Sequence, residues 1–126
     1  MTHGSFHNDM VAFVHAWRAA VADDPVRLAA VAELAAASQT GFERHLEATA
    51  QGAAFRRIAL ATTEGHFAAL LAEIGDEALT YPVAAATLFA CHTIALIPAL
   101  TAWAHGVVAN LVSATQRLVP LGQTDG

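Results

Sequence analysis

Histidine and cysteine are the residues of this chain whose chemistry first suggests a site, because both bind transition metals. There are seven histidines and one cysteine. His3, His7 and His15 would share a face of a helix that began at the amino terminus, but a glycine and a serine follow His3 and predict a frayed end. Cys91 and His92 are adjacent, so on a helix they point about 100° apart. We therefore expect no metal site, and nickel binding through the histidines is kept as an alternative.

Catalytic groups are equally hard to assemble from this sequence. The chain contains no lysine, which excludes a Walker-type phosphate loop and a pyridoxal Schiff base. His92 and His105 lie in a stretch with no carboxylate to orient either of them as a general base. A Gly-x-Ser-x-Gly motif is also missing. The residues thus predict a binding protein that is not an enzyme, with no catalytic residue and no cofactor.

The charge balance limits the class of partner. The formal net charge is −5, and all six basic residues are arginines, of which only Arg56 and Arg57 are adjacent. Nucleic acid is excluded as a partner because phosphate neutralisation needs clustered basic residues. One cysteine cannot form an intrachain disulfide, and the amino terminus lacks the basic and apolar regions of a signal peptide. We therefore expect a cytoplasmic protein.

Caps and apolar spacing predict the first two helices. We expect the first to begin at Asn8 or Asp9 and the second to run from Pro25, capped by Asp24, to about Ala37. Apolar residues recur every three or four positions in both segments, as on the buried side of a helix. The residues expected to be buried are Met10, Phe13, Val14, Trp17 and Val21 on the first helix, and Leu28, Val31 and Leu34 or Ala35 on the second.

Two further helices are expected before residue 76. Thr40 and Glu43 have the spacing of a capping box for the third helix, in which Gly52 costs about 1 kcal/mol relative to alanine and could permit a break. A short fourth helix is expected from Glu64 to Gly75. The residues expected to be buried on the third helix are Leu46, Ala50, Ala54 and Ile58.

Residues 78–116 contain no charged side chain, and prolines divide them into two helices. The fifth helix is expected over Val83–Leu96 and is apolar on every side, as a central helix of a bundle would be. The sixth is expected over Pro98–Val119, after which Pro120 and a nearby glycine predict a hinge into a polar tail. Its expected packing seam is Leu100, Ala104, Val107, Leu111, Ala114 and Leu118.

The uncharged stretch raises a membrane hairpin as a second alternative. Its first span, Tyr81–Ile97, reaches only the minimum of about 17 residues and lacks a positively charged flank. A buried hairpin inside a bundle explains the same residues without a membrane. The prediction is therefore an all-α, single-domain bundle of about six helices over residues 1–126, with a buried apolar helical hairpin.

One face of the sixth helix carries small and polar residues. Gly106, Asn110, Ser113 and Arg117 are spaced by four, three and four positions, so they share a narrow face. Either a solvated face or a docking seam fits this pattern. Since a solvated helix face usually carries glutamate and lysine, and this one carries neither, docking is at least as well supported.

The residues around this face resemble a known family. Asn110-Leu-Val-Ser-Ala, followed by Arg117-Leu-Val-Pro-Leu-Gly-Gln-Thr-Asp-Gly126, is similar to the tail of the UreF urease accessory proteins. The resemblance extends in order over nearly the whole chain. Family regions before the Gly-Ser segment and after Gly126 are missing, so we expect a UreF-like chain truncated at both ends. The other similar segments are His3-Gly-Ser with Asn8-Asp9, Glu43-Arg-His-Leu-Glu47 and Tyr81-Pro-Val-Ala84.

The resemblance implies a chaperone that assists nickel insertion into apo-urease. Members of this family bind the accessory protein UreD, also called UreH, and recruit the GTPase UreG to the urease apoprotein; the intact proteins form homodimers. Among the carried-over positions, Arg117 could form bidentate hydrogen bonds to a docked chain. The partner-binding residues expected by position are Asn110, Ser113, Arg117, Pro120, Leu121, Gly122, Gln123, Thr124, Asp125 and Gly126.

Overall fold

The computed structural model describes residues 3–62 and 65–125, with the side chains within 6–61 and 65–109 and at 112, 113 and 116. Across these residues the chain forms α-helices and one 3-10 turn, without a strand, so the predicted all-α class is confirmed. The helices are α1 (His3–Val21), α2 (Pro25–Ala37), α3 (Phe42–Thr62), α4 (Gly65–Leu71), α5 (Tyr81–Cys91) and α6 (Leu96–Asp125), and the 3-10 turn is Asp76–Ala78.

Helix α5 is the centre of the bundle. It packs against α1, α3, α4 and α6, and every residue from Pro82 to Thr87 is buried. The three consecutive alanines in this segment present only methyl groups, so neighbouring helices can approach α5 from all sides. The prediction that the fifth helix is central is confirmed. The largest fully buried apolar side chains around it are Phe13, Phe67, Leu28, Leu71, Leu79 and Val83.

Helices α1 and α5 end in the same hydrogen-bonded motif. Asp24 N donates to Ala19 O at 3.0 Å after α1, and Ile94 N donates to Phe89 O at 3.0 Å after α5. These are the bonds of a Schellman ending, which needs a residue with positive φ just past the helix. Thr93, with φ of 57°, fills that position after α5. This motif stops α5 at Cys91, five residues before the expected end.

The limits of α1 and α6 differ from the sequence predictions. Helix α1 begins at His3, so the expected cap at Asn8 or Asp9 is wrong. Helix α6 begins at Leu96, which puts Pro98 in the first turn, where no backbone N–H donor is needed. It then continues through Pro120 to Asp125, so the expected hinge is wrong. A proline has a helical φ and forfeits a single backbone bond, which a long helix can lose without ending.

Helix α2 agrees with its prediction, because Asp24 accepts a hydrogen bond from Arg27 N at 3.0 Å and so caps it. Leu28 and Ala35 are buried, whereas Leu34 is 72% exposed, which decides between the two expected positions. On α1, Phe13 is fully buried as expected, but Val21 is 55% exposed and its assignment to the buried side is wrong.

Helix α3 buries a different face from the expected one. Leu46 and Ile58 are 49% and 70% exposed, and the buried positions carry small residues instead. Gly52 does not break the helix; a Cβ there would lie 2.0 Å from Leu79 O, so its lack of a side chain admits the segment that leads into α5. The buried residues of α3 are Thr49, Gly52, Ala53 and Ala59.

The segment between α4 and α5 is held by Arg56 of α3. Its guanidinium donates to Leu71 O at 3.2 Å and to Ile74 O at 2.7 Å, and it pairs with the Asp76 carboxylate. These contacts satisfy carbonyls at the end of α4, which stops at Leu71 rather than at the expected Gly75.

Candidate partner-binding site

Aromatic contacts fix the first half of α6 on the bundle. Trp103 is 3% exposed and stacks on Phe6 with ring centroids 5.9 Å apart, and its ring lies 5.3 Å from that of Phe13. The neighbouring turn of α6 buries Ala99 completely. These residues anchor the first half of α6 to α1.

The predicted packing seam of α6 is confirmed where side chains are described. Leu100, Ala104 and Val107 are partly buried against the hydrophobic core. The other three expected members, at 111, 114 and 118, lie on the helix, but their side chains are outside the described set.

The predicted polar seam lies on an accessible part of α6. Gly106 is exposed, and no atom lies within 4 Å of the position that a Cβ would take. Ser113 is also exposed. Asn110 and Arg117 belong to the helix, and their side chains lie outside the described set. The described members therefore leave room for another chain to approach.

The continuous helix changes how the predicted tail residues are grouped. Residues 120–125 form the last turns of α6, whereas Gly126 lies outside the described residues. At 100° per residue, some tail positions continue the register of the polar seam within an arc of about 100°. Gly122, Gln123 and Asp125 fall outside that arc. The helical register thus brings together Gly106, Asn110, Ser113, Arg117, Pro120, Leu121 and Thr124.

A second exposed strip runs along α6 and was missed by the sequence analysis. Ile97, Val108 and Val112 are 68%, 54% and 49% exposed. An open groove of about 350 Å³ lies beside them, lined by Leu100, Thr101, Ala104, His105 and Val108. The spacing of these apolar residues could have revealed the strip, but the packing seam next to it gives a stronger pattern in the sequence. Exposed apolar strips of this kind are typical of protein-binding surfaces.

The residues considered for metal binding do not come together in the described part of the chain. No group of three histidine, cysteine or carboxylate side chains there could hold a metal ion. Although α1 begins at His3, the side chain of His3 is outside the described set. Cys91 is half-buried at the end of α5 while the adjacent His92 is exposed.

A membrane hairpin would need helices that can span a bilayer. Within residues 3–62 and 65–125, no helix is both long enough and apolar enough to cross a bilayer.

Comparison with known proteins decides the family. The UreF family model matches residues 1–126. The chain belongs to the UreF family. A urease accessory protein UreF of Rhodopseudomonas palustris strain BisB5 is 45% identical over 125 residues, which are 99% of this chain and 51% of the relative. The UreF protein of Bradyrhizobium sp. strain ORS 278 is 44% identical over 126 residues, 99% of this chain and 52% of the relative. No solved structure matches the chain.

Membership identifies the chain as related to urease accessory proteins and favours neither the nickel-binding nor the membrane alternative. The chain spans about half the length of the curated relatives it matches. The UreF resemblance predicted from the tail is therefore confirmed over the whole sequence.

Proposed function

We propose that this UreF-family chain is a non-catalytic scaffold in urease maturation. It binds UreD (UreH) and recruits the GTPase UreG to the urease apoprotein, and in this way assists nickel insertion in the cytoplasm. The nickel ion is the cargo of the assembly. The intact protein acts as a homodimer, as the family resemblance implies.

The observation that carries this proposal is the surface of α6. The helix exposes a seam of small and polar residues, represented by Gly106 and Ser113, and an apolar strip, represented by Val108 and Val112. There is no charged residue on α6 before Arg117. An interface core that is depleted of lysine, glutamate and aspartate but contains arginine is typical of protein–protein contacts.

The first test removes the arginine of the seam. Arg117→Ala should reduce co-purification of UreD and UreG homologues with the tagged chain at least about tenfold, the loss expected for one charge-assisted hydrogen bond of about 1.5 kcal/mol or more. Arg57→Ala is the matched control, because Arg57 is exposed on α3 and the change removes the same charge. Unchanged recovery of both partners with Arg117→Ala would show that the tail assignment is wrong.

A second test separates docking from folding. Gly106→Ala adds a methyl group where nothing lies within 4 Å, and it should stabilise the helix by up to about 1 kcal/mol. If a partner backbone approaches Gly106 closely, the same change should weaken partner binding. A variant with a higher urea midpoint and undiminished binding would argue against close approach at this position.

The proposed role in nickel insertion is tested by reconstitution. Urease activity should appear when apo-urease, UreD, UreG and GTP are incubated with the chain and nickel, and should fail when the chain is omitted. Equilibrium dialysis with Ni²⁺ tests whether the chain itself carries the metal. Binding tighter than about millimolar would replace the scaffold proposal with the nickel-binding one.

A further inference from the structure

A second cleft lies where α1 and α5 end, and it shares no lining residue with the groove on α6. Its volume is about 460 Å³. The side chains that give it its chemistry are Trp17, Asp23, His66, Cys91, Thr93 and Ile94. Nothing in the proposed scaffold function uses this cleft.

The two helix endings that border the cleft have the same backbone conformation. Asp23 and Thr93 have φ of 54° and 57°, and among the described residues they are the non-glycine positions with positive φ. Each follows the carboxyl end of a helix, and both line the cleft. Both are the positive-φ residues of the Schellman endings of α1 and α5, so the cleft is bordered by two helix carboxyl ends.

Negatively charged groups border the cleft. The carboxyl ends of two helices converge on it, and each carries a partial negative charge of about half an electron. The Asp23 carboxylate adds a full charge and lies 3.7 Å from His66 Nε2. Burial, together with the negative charge of Asp23, raises the pKa of the Cys91 thiol, so this thiol is neutral near pH 7. A cation is the complementary ligand.

Trp17 favours a guanidinium over other cations as the ligand of this cleft. Its indole Nε1 donates to Ile94 O at 2.9 Å, which fixes the ring at the cleft. A planar guanidinium can stack on an aromatic ring while it pairs with a carboxylate, whereas an ammonium ion cannot stack in this way. A coordinated metal ion is a poor match, since the described side chains offer no group of three ligands.

We propose that this cleft binds the guanidinium group of an arginine side chain presented by a partner protein. The arginine pairs with Asp23, competes with His66 for that carboxylate, and stacks on Trp17. The cleft is thus a second contact point, independent of α6, so its failure in the following test leaves the scaffold proposal standing.

The test uses the full chain and a blocked arginine, Nα-acetyl-arginine methylamide, in an NMR titration. The indole N–H signal of Trp17, assigned by its loss in Trp17→Phe, should shift in a saturable manner. The signal of Trp103, which is 3% exposed, is the internal control and should stay in place. Blocked citrulline has the same shape without the charge and should cause no shift.

Matched variants test whether the Asp23 carboxylate is the group that binds the arginine probe. Asp23→Asn keeps a residue type that tolerates positive φ and should weaken binding up to about fivefold, because the Asp23 side chain is 71% exposed and solvent screens its ion pair. Glu33→Gln removes one charge from the exposed face of α2 and should leave binding unchanged. The proposal is overturned if the Trp17 signal does not move, if citrulline moves it equally, or if Asp23→Asn retains full affinity. The citrulline arm needs no variant and therefore decides the question even if Asp23→Asn fails to fold.

Discussion

Replacing Gly52 with alanine should destabilise the protein, although alanine is the better helix former. Gly52 lies inside α3, where the exchange by itself would stabilise the helix by about 1 kcal/mol. In this fold, however, the new Cβ would lie 2.0 Å from Leu79 O and 2.8 Å from the carbonyl carbon of Thr80. Both neighbours are backbone atoms, so no side chain can rotate away to relieve the overlap.

The two effects can be compared in magnitude. A normal contact between a methyl carbon and a carbonyl oxygen is above 3 Å in length, so α3 and the segment before α5 would have to separate by about 1 Å. Overpacking of a buried site costs about 1–3 kcal/mol, and more where backbone must move. Because only backbone atoms are in the way, the upper end of about 3 kcal/mol applies, and subtracting the helix gain of about 1 kcal/mol leaves a net loss of about 2 kcal/mol. For a domain of this size that is a substantial part of the free energy of unfolding.

Urea unfolding followed by circular dichroism at 222 nm measures this loss. With a slope of about 2 kcal/mol per molar urea, Gly52→Ala should lower the midpoint by about 1 M. Gly106→Ala is the control, because it makes the same exchange inside α6, where no atom lies within 4 Å of the added carbon. The control should raise the midpoint. Equal midpoints for the two variants would refute the close approach of Leu79 to α3.

Three further predictions concern single side chains. Arg56→Lys should lower the free energy of unfolding by about 2 kcal/mol in urea titrations, because one ammonium group cannot replace a guanidinium that binds Asp76 and two carbonyls. Thr93→Gly should raise it by up to about 1 kcal/mol by removing positive-φ strain, and a lower midpoint would contradict the Schellman ending. Burial raises the pKa of the Asp9 carboxyl. The folded state therefore binds the carboxyl proton more tightly than the unfolded chain does, and the free energy of unfolding falls as the pH rises through the folded pKa. Asp9→Asn keeps an acceptor for Gln39 but removes the charge that burial disfavours. The urea midpoint should therefore rise near pH 7 and change little near pH 3, where the Asp9 carboxyl is already protonated.

The parts of the fold that the sequence predicts are those set by local chemistry. The Asp24–Pro25 pair fixes the start of α2 because a cap and a proline act within one turn. The central position of α5 follows from a segment that is apolar on every side, since only a fully surrounded helix tolerates that composition in a bundle.

The buried face of α3 could not be predicted in this way. Apolar spacing assigns burial to large side chains, so it predicts that Leu46 and Ile58 are buried, whereas both are exposed. The structure instead buries Gly52 and Ala53, and Leu79 approaches Gly52 so closely that a side chain does not fit there. Close approach is a property of two segments distant in sequence, and neither segment shows it alone. A different limit applies at Pro120, because the local pattern predicts an end there whereas a helix 30 residues long loses only one backbone hydrogen bond at a proline.

The exposed surfaces of α6 can be weighed against what stable association requires. Full burial of Ile97, Val108 and Val112 would contribute about 1.5–3 kcal/mol for each side chain, and these residues are already 32–51% covered in the folded chain, so the remaining gain is smaller. Association costs at least about 4 kcal/mol in lost translational and rotational freedom. The apolar strip alone therefore yields weak binding at best, and directional contacts from the polar seam are needed for a stable complex. Arg117 and Gly106 should therefore matter more for binding than the apolar strip, and a strip variant such as Val112→Ala should weaken binding less than Arg117→Ala does.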